Sequence, residues 1–125
     1  MGLVIEELRP VPGISDDPEK FDLNRSGNAL YYDVGPYEAV AVQSEEASID
    51  DSGTYATAVL TLKKSLDRRD YRNLATTTTI AAGGGVANYD KSREVIPRLK
   101  VEVTTPEGAT GYARITAWGL RAVST

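Results

Sequence analysis

The sequence predicts a single all-β domain, a β-sandwich or jelly-roll-like fold of about seven or eight antiparallel strands with an extended N-terminal arm. Three observations support this. The chain has 125 residues, the usual size of one domain. Several segments alternate apolar and polar residues with period two. Turn-forming residues separate them at intervals of about 8–12 residues. We expect residues 1–27 to form an N-terminal strand and the arm, and residues 28–125 to form the sandwich.

Three segments alternate most clearly and are expected to be half-buried strands. They are residues 54–66, 98–104 and 112–120. The residues expected to face inward are Ala56, Ala58, Leu60, Leu62, Leu99, Val101, Val103, Ala113, Ile115 and Ala117. The last two segments are expected to pair as a hairpin across the turn at residues 106–108.

Shorter strands are predicted at residues 3–8, 29–34, 38–44, 71–74 and 76–82. Gly35-Pro36 and residues 67–70 supply turns between them. The glycines at positions 83–85 end the threonine-rich strand. Residues 86–94 are expected to be a polar connection, with at most one helical turn within residues 88–95.

Residues 9–27 have the composition of an extended arm or long loop. Pro10, Pro12, Gly13 and Pro18 exclude a continuous helix or a central strand. Long segments of this kind are often functional or mobile. Two interpretations remain open here: a loop packed on its own domain, or an arm that binds a partner.

The composition disfavours catalysis and several kinds of partner. The chain has neither cysteine nor histidine, so an enzyme would depend on carboxylates, lysine or tyrosine. We therefore expect no enzymatic activity, no catalytic residues, no metal site and no cofactor. A net charge of −4 without a basic cluster disfavours nucleic acid. No stretch has the form of a signal peptide or a membrane span, so no membrane partner is expected and synthesis is expected in the cytoplasm.

Two loops superficially resemble ligand sites. The glycines at positions 83–85 lack the lysine and the following helix of a phosphate-binding loop. The acidic loop with Glu45, Glu46, Asp50 and Asp51 does not have the spacing of an EF-hand. We expect both to be ordinary connections, and the same holds for the acidic pair at positions 16 and 17.

Aromatic side chains on the faces expected to point outward are the clearest candidates for a contact surface, because Tyr and Trp are enriched at interfaces. The other possibility is that the arm covers these side chains or that the faces are reversed. Together with the apolar residues of the arm, the candidate interface residues are Pro10, Pro12, Ile14, Phe21, Leu23, Tyr55, Tyr112 and Trp118.

Residues 58–75 resemble a strand–turn–strand unit of tailed-bacteriophage virion proteins, in which an alternating strand leads into Ser-Leu-Asp-x-x-x-(Trp/Tyr)-x-x-Leu. Here that motif runs from Ser65 to Leu74. The threonine-rich strand and residues 97–108 and 111–119 continue the likeness, which covers about residues 54–119. One position departs from the pattern, because Arg68 stands where this turn usually carries glycine.

The resemblance implies a structural virion protein, most like a capsid decoration (cement) protein. It implies binding to the major capsid protein or other virion proteins, a homo-oligomer with a trimer favoured, and location in the virion. Two alternatives stay open: a head–tail neck or minor tail protein, and a carbohydrate-binding adhesion module. In the last case Tyr112 and Trp118 are expected to stack on sugars.

Overall fold

The computed structural model describes residues 2–23, 27–46, 59–81, 84–90, 95–103 and 112–123. These residues form two antiparallel sheets and contain no helix. The predicted all-β sandwich is therefore confirmed. The strands are β1 (Gly2–Leu8), β2 (Phe21–Asp22), β3 (Ala29–Asp33), β4 (Ala39–Glu46), β5 (Val59–Ser65), β6 (Arg72–Ala81), β7 (Gly84–Asp90), β8 (Arg98–Val103) and β9 (Tyr112–Val123).

The five-stranded sheet has the order β1-β9-β4-β7, and the short strand β2 also pairs with β9. β1 runs along Ala117–Val123 and β2 along Tyr112–Ala113, both on the side of β9 opposite β4. The four-stranded sheet has the order β3-β8-β5-β6.

The inner faces of both sheets form one core, and the predicted alternation places the right residues in it. Leu60 and Leu62 of β5 are buried, as are the inward residues predicted for β8 and β9. Of the predicted inward set, Ala56 and Ala58 lie outside the described residues. The core cluster consists of Phe21, Leu23, Leu30, Tyr32, Val34, Val40, Val42, Leu60, Leu62, Leu74, Ile96, Leu99, Val101, Val103, Ala113, Ile115 and Ala117.

The predicted hairpin between the last two strands is wrong. β8 pairs with β3 and β5 in one sheet, whereas β9 pairs with β1, β2 and β4 in the other. Alternation identifies the buried face of a strand but not the strand that it pairs with. The apolar faces of β8 and β9 therefore contribute to the same core from opposite sheets.

Two other predicted boundaries also change. The expected strands at 71–74 and 76–82 are one strand, β6, whose register against β5 shifts between Leu62 and Lys63. The expected polar connection at 86–94 contains strand β7, which pairs with β4 along Gly84–Asp90. No helical turn occurs at residues 88–90, and residues 91–94 lie outside the described chain. The expectation that the glycines at positions 83–85 form a connection is wrong for Gly84 and Gly85, which belong to β7 and lie opposite Glu45 and Ser44 of β4. Gly83 lies outside the described residues.

The turn after β5 contains Arg68, at the position where the motif of residues 65–74 usually has glycine. One carboxylate oxygen of Asp67 accepts hydrogen bonds from the backbone N–H of Arg69 at 2.9 Å and of Asp70 at 3.0 Å. These bonds lower the pKa of Asp67. Arg68 has a φ of 63°, the left-handed conformation that glycine adopts most easily. The position therefore has glycine geometry although the residue is arginine.

The N-terminal arm is part of the sandwich, so the expected boundary at residue 27 does not separate two units. The backbone N–H of Val11 donates to the carbonyl of Tyr31 at 2.7 Å. Further along, the N–H of Asp16 donates to the carbonyl of Ala29 at 2.9 Å, and Asp16 Oδ2 accepts from the N–H of Ala29 at 2.8 Å. The arm thus leaves β1, crosses to the edge strand β3 of the other sheet and returns as β2.

Candidate protein-binding surface

The outer face of the four-stranded sheet is a network of charged and aromatic side chains. The ammonium group of Lys100 lies 2.6 Å from Glu102 Oε2, and that of Lys63 lies 2.8 Å from Glu102 Oε1. Lys100 also lies 5.1 Å from the ring centre of Tyr71 and 5.5 Å from that of Tyr31. These groups satisfy one another and present a polar surface to water.

The ionisation of this network is fixed by its internal contacts. Burial works against the charged form of Glu102, but the hydrogen bonds from Lys100 and Lys63 hold its pKa below the usual value. At the end of the same sheet, Arg98 Nε donates to Asp33 Oδ1 at 2.8 Å and lowers the pKa of that carboxyl. Both carboxylates therefore stay charged at neutral pH and stay paired.

The outer face of the five-stranded sheet exposes a group of apolar side chains from β1, β9 and β4, and Glu7 of β1 lies at its border, opposite Trp118. Leu3 and Ile5 of β1 are 63% and 71% exposed. The strand register places Ile5 opposite Leu120, and Leu120 is also opposite Ala39 of β4. Trp118 lies two residues before Leu120 on β9, half-buried and opposite Ala41. We call this surface the outer apolar face; its residues are Leu3, Ile5, Ala39, Ala41, Trp118 and Leu120.

Polar residues border the outer apolar face along the same strands. Arg114 of β9 forms an ion pair with Glu45 of β4, with its Nε donating to Oε1 at 2.6 Å. Thr116 and Gln43 are opposite each other between this ion pair and Trp118. An apolar centre with a polar border is the usual composition of a protein-binding surface.

The two aromatic residues predicted on β9 do face outward, but their surroundings differ. Trp118 belongs to the outer apolar face, between Ala41 and Glu7 in the register. Tyr112 lies at the far end of β9 beside β2, and the ammonium group of Lys20 lies 5.4 Å from its ring centre. One face of the Tyr112 ring is therefore already covered. Tyr55 lies outside the described residues.

The arm residues of the candidate interface divide into two groups. Pro12 is exposed, Ile14 is 50% exposed and Pro10 is half-buried, so these three remain accessible. Phe21 and Leu23 have no exposed surface and belong to the core, so their assignment to an interface is wrong. Both lie where β2 rejoins the sandwich, and an apolar residue in an arm buries its surface on its own domain when the arm lies along it.

Sequence reasoning missed Leu3 and Ile5, the most exposed residues of the outer apolar face. Their signal was the uninterrupted run Leu3-Val4-Ile5, because a strand apolar on both sides needs cover on both sides. The structure covers one backbone edge of β1 with β9 but leaves Leu3, Val4 and Ile5 exposed. The run therefore indicated an exposed apolar surface on β1 as well as a strand.

A cleft of about 240 Å³ lies beside the arm and β9, next to the hydrogen bond from the N–H of Ile115 to the carbonyl of Pro18. Its volume is below the range of roughly 300–1,000 Å³ typical of small-molecule sites. Burial, together with the charge of Glu7, raises the pKa of Tyr32, which lines it. The cleft is lined by Glu7, Leu8, Arg9, Pro10, Pro18, Glu19, Tyr32, Ile115 and Thr116.

The acidic segments expected to be connections are placed differently, because Glu45 and Glu46 belong to β4. Three of their side chains make local contacts. Asp16 accepts from Ala29, Asp17 Oδ1 accepts from the N–H of Glu19 at 2.9 Å, and Glu45 pairs with Arg114. Within the described part of the chain, no group of three His, Cys, Asp or Glu residues is placed to hold a metal ion. Asp50 and Asp51 lie outside that part.

Comparison with known protein families gives no match for this chain, and comparison with curated proteins gives none either. No helix that could cross a membrane occurs among the described residues. The fold and the outer apolar face are the features of the molecule that bear on its function.

Proposed function

We propose that this protein is a structural virion protein that decorates and stabilises a bacteriophage capsid, with the outer apolar face bound to the shell of the major capsid protein. The observation that carries the proposal is the contrast between the two outer faces. On one face, Lys100 and Glu102 form a network of ion pairs. The other exposes Leu3 and Ile5 beside Leu120, with Trp118 two residues further along β9. The phage-like motif at residues 58–75 supplies the kind of partner.

An exposed sheet face suits a shell better than it suits a small ligand. Clustered exposed apolar residues on a small domain indicate an interaction site. A virion shell repeats one surface many times, so modest contacts can add up when the bound protein is itself an oligomer. The proposed result is a shell that resists heat better, since a ligand that binds only the assembled state stabilises that state.

The test uses shells that lack the protein. Purified protein added to them should bind at a fixed number of copies per shell and raise the temperature at which the shells melt. Trp118→Ser should weaken this binding by roughly tenfold or more, because a large aromatic residue near the middle of an interface contributes heavily to affinity.

The matched control is Tyr71→Ser, which removes a half-buried aromatic side chain from the opposite sheet. Binding by this variant should equal that of the wild type. The proposal would be contradicted if the protein did not bind to bare shells, or if both variants lost the same amount of binding. A single ring of copies in each particle would instead support the neck or tail alternative. Glycan binding that Trp118→Ser abolishes would support the adhesion module.

A further inference from the structure

The edges of the two sheets are closed in different ways. The arm lies along β3 and covers that edge of the four-stranded sheet. β6 and β7 are the edge strands at the other ends of the two sheets and are consecutive strands of the chain. β1 is the other edge of the five-stranded sheet, and within the described chain its only partner strand is β9. An edge strand presents unpaired N–H and C=O groups to its surroundings.

The charges that protect the edge of β1 lie in its second half, at Glu6 and Glu7, so residues 2–5 are the unprotected part. The register of β1 with β9 is continuous from Gly2 to Leu8, so no bulge bends the edge away. Residues 2–8 contain neither lysine nor proline. Leu3, Val4 and Ile5 are 63%, 36% and 71% exposed, with Val4 on the opposite face of the strand from the other two. An open backbone edge with apolar side chains on both faces fits another β-strand.

We infer that β1 pairs antiparallel with β1 of a second copy of this chain, joining the two five-stranded sheets into one. The pairing is isologous, with a two-fold axis perpendicular to the sheet at Val4. Val4 then lies opposite Val4 of the second copy, and Leu3 lies opposite Ile5. This inference does not depend on the proposed function, because it concerns the protein in solution.

Among the registers that keep the outer faces together, the axis at Val4 pairs residues 2–6 without placing a large apolar residue opposite an acid, whereas an axis at Leu3 pairs only residues 2–4 of the described strand. With the axis at Val4, apolar residues face apolar residues, and Glu6 faces Gly2 of the second copy. An axis at Ile5 places Leu3 opposite Glu7 and Val4 opposite Glu6, which is unfavourable for both. The favoured pair also doubles the outer apolar face on one continuous sheet. It is a two-fold dimer, in contrast to the trimer that the phage resemblance favours.

Single cysteines test this register directly, because the chain contains no cysteine of its own. Under mild oxidation Val4→Cys should give a covalent dimer, since directly opposite residues lie within disulfide range. Leu3→Cys alone and Ile5→Cys alone should stay uncrosslinked. In each case the cysteine lies diagonally across from the same cysteine of the second copy, at a distance of about 7–8 Å. A mixture of those two variants should give the mixed dimer.

Leu66→Cys is the control, since Leu66 is 64% exposed and lies in the turn after β5. The inference is overturned if Val4→Cys forms no more dimer than Leu66→Cys. It is also overturned if Leu3→Cys and Ile5→Cys each crosslink alone as readily as Val4→Cys.

The molar mass in solution gives an independent reading. The wild type should reach the mass of a dimer as its concentration rises, and Ile5→Lys should raise the dissociation constant by roughly tenfold or more. Val95→Lys, at a 70% exposed site in the segment that precedes β8, should leave it unchanged. Circular dichroism confirms that each variant is folded. A monomer at every concentration, or a trimer, contradicts the inference.

Discussion

The ring of Tyr37 occupies the space in which residue 119 would carry a side chain. A Cβ atom placed on Gly119 would lie 2.3 Å from Cδ1 of Tyr37, far inside van der Waals contact. The hydroxyl of Tyr37 donates to Glu6 Oε2 at 2.8 Å, and Arg121 binds the other oxygen of Glu6. The missing side chain at Gly119 thus lets one tyrosine connect β1 with β9.

Gly119→Ala should lower the free energy of unfolding by about 1–3 kcal/mol, because the added methyl group forces the Tyr37 ring or the strand to move. Urea denaturation measures the loss. Gly35→Ala is the control, since nothing lies within 4 Å of a Cβ there, and it should change stability by less than about 0.5 kcal/mol. In a Tyr37→Ala background the cost of Gly119→Ala should shrink; an unchanged cost would contradict the contact.

Arg68→Gly should stabilise the protein by about 0.5–1 kcal/mol. The left-handed conformation costs a non-glycine residue about 1–2 kcal/mol, and the extra freedom of glycine in the unfolded chain offsets part of the gain. The substitution also removes a 3.7 Å contact between Arg68 and Asp33, but exposed ion pairs contribute little. Thermal unfolding measures the change. A loss of stability would show that the arginine side chain matters more than its backbone.

Acid should destabilise the fold progressively. Four carboxyl groups have pKa values lowered by their folded-state partners: Glu6, Asp33, Asp67 and Glu102. The unfolded chain therefore binds protons more readily than the folded one. The stability that these groups contribute is present above their ordinary values of 3.8 to 4.5 and is lost as the pH falls through the lower folded values. Urea midpoints that stay constant from about pH 6 to pH 3 would contradict this.

Strong alkali should destabilise the fold through a buried phenol. Burial, and then the charge of Glu7, raises the pKa of Tyr32 above the ordinary value of 10.0. Its contribution is present below pH 10 and is lost at higher pH, where the unfolded chain ionises first. The ultraviolet absorbance of tyrosinate, followed against pH, should show a phenol that ionises only with unfolding, distinct from Tyr37, whose pKa is raised by its hydrogen bond to Glu6. Tyr32→Phe should abolish that late step, and its persistence would assign the step to another tyrosine.

Local patterns predicted the faces of strands well and their partners poorly. Leu99 and Val101 are buried as their alternation required, because burial depends only on the period of side chains along one strand. The pairing of β8 with β3 and β5 depends on residues far away in the chain, which one segment does not encode. Arg68 is an intermediate case, since its departure from the motif left the turn geometry open, and the structure keeps the conformation usual for glycine there.

The arm and β1 were predicted less well for a related reason. Phe21 and Leu23 were recognised as large apolar residues, but the sequence does not say whether such residues cover their own core or a partner. Ile14, in the same arm, remains 50% exposed. The sequence pattern places Leu3 and Ile5 in a strand but does not show that they are exposed. Their exposure depends on β1 being the last strand of the sheet, which a local pattern does not encode.

A cryo-EM map of shells saturated with the purified protein tests the central claim most directly. The account predicts that the outer apolar face, with Trp118 and Leu120, lies against the shell, while Lys100 and Tyr71 face the solvent. A map in which the charged face of the four-stranded sheet contacts the shell, or in which no copies are bound, would contradict it.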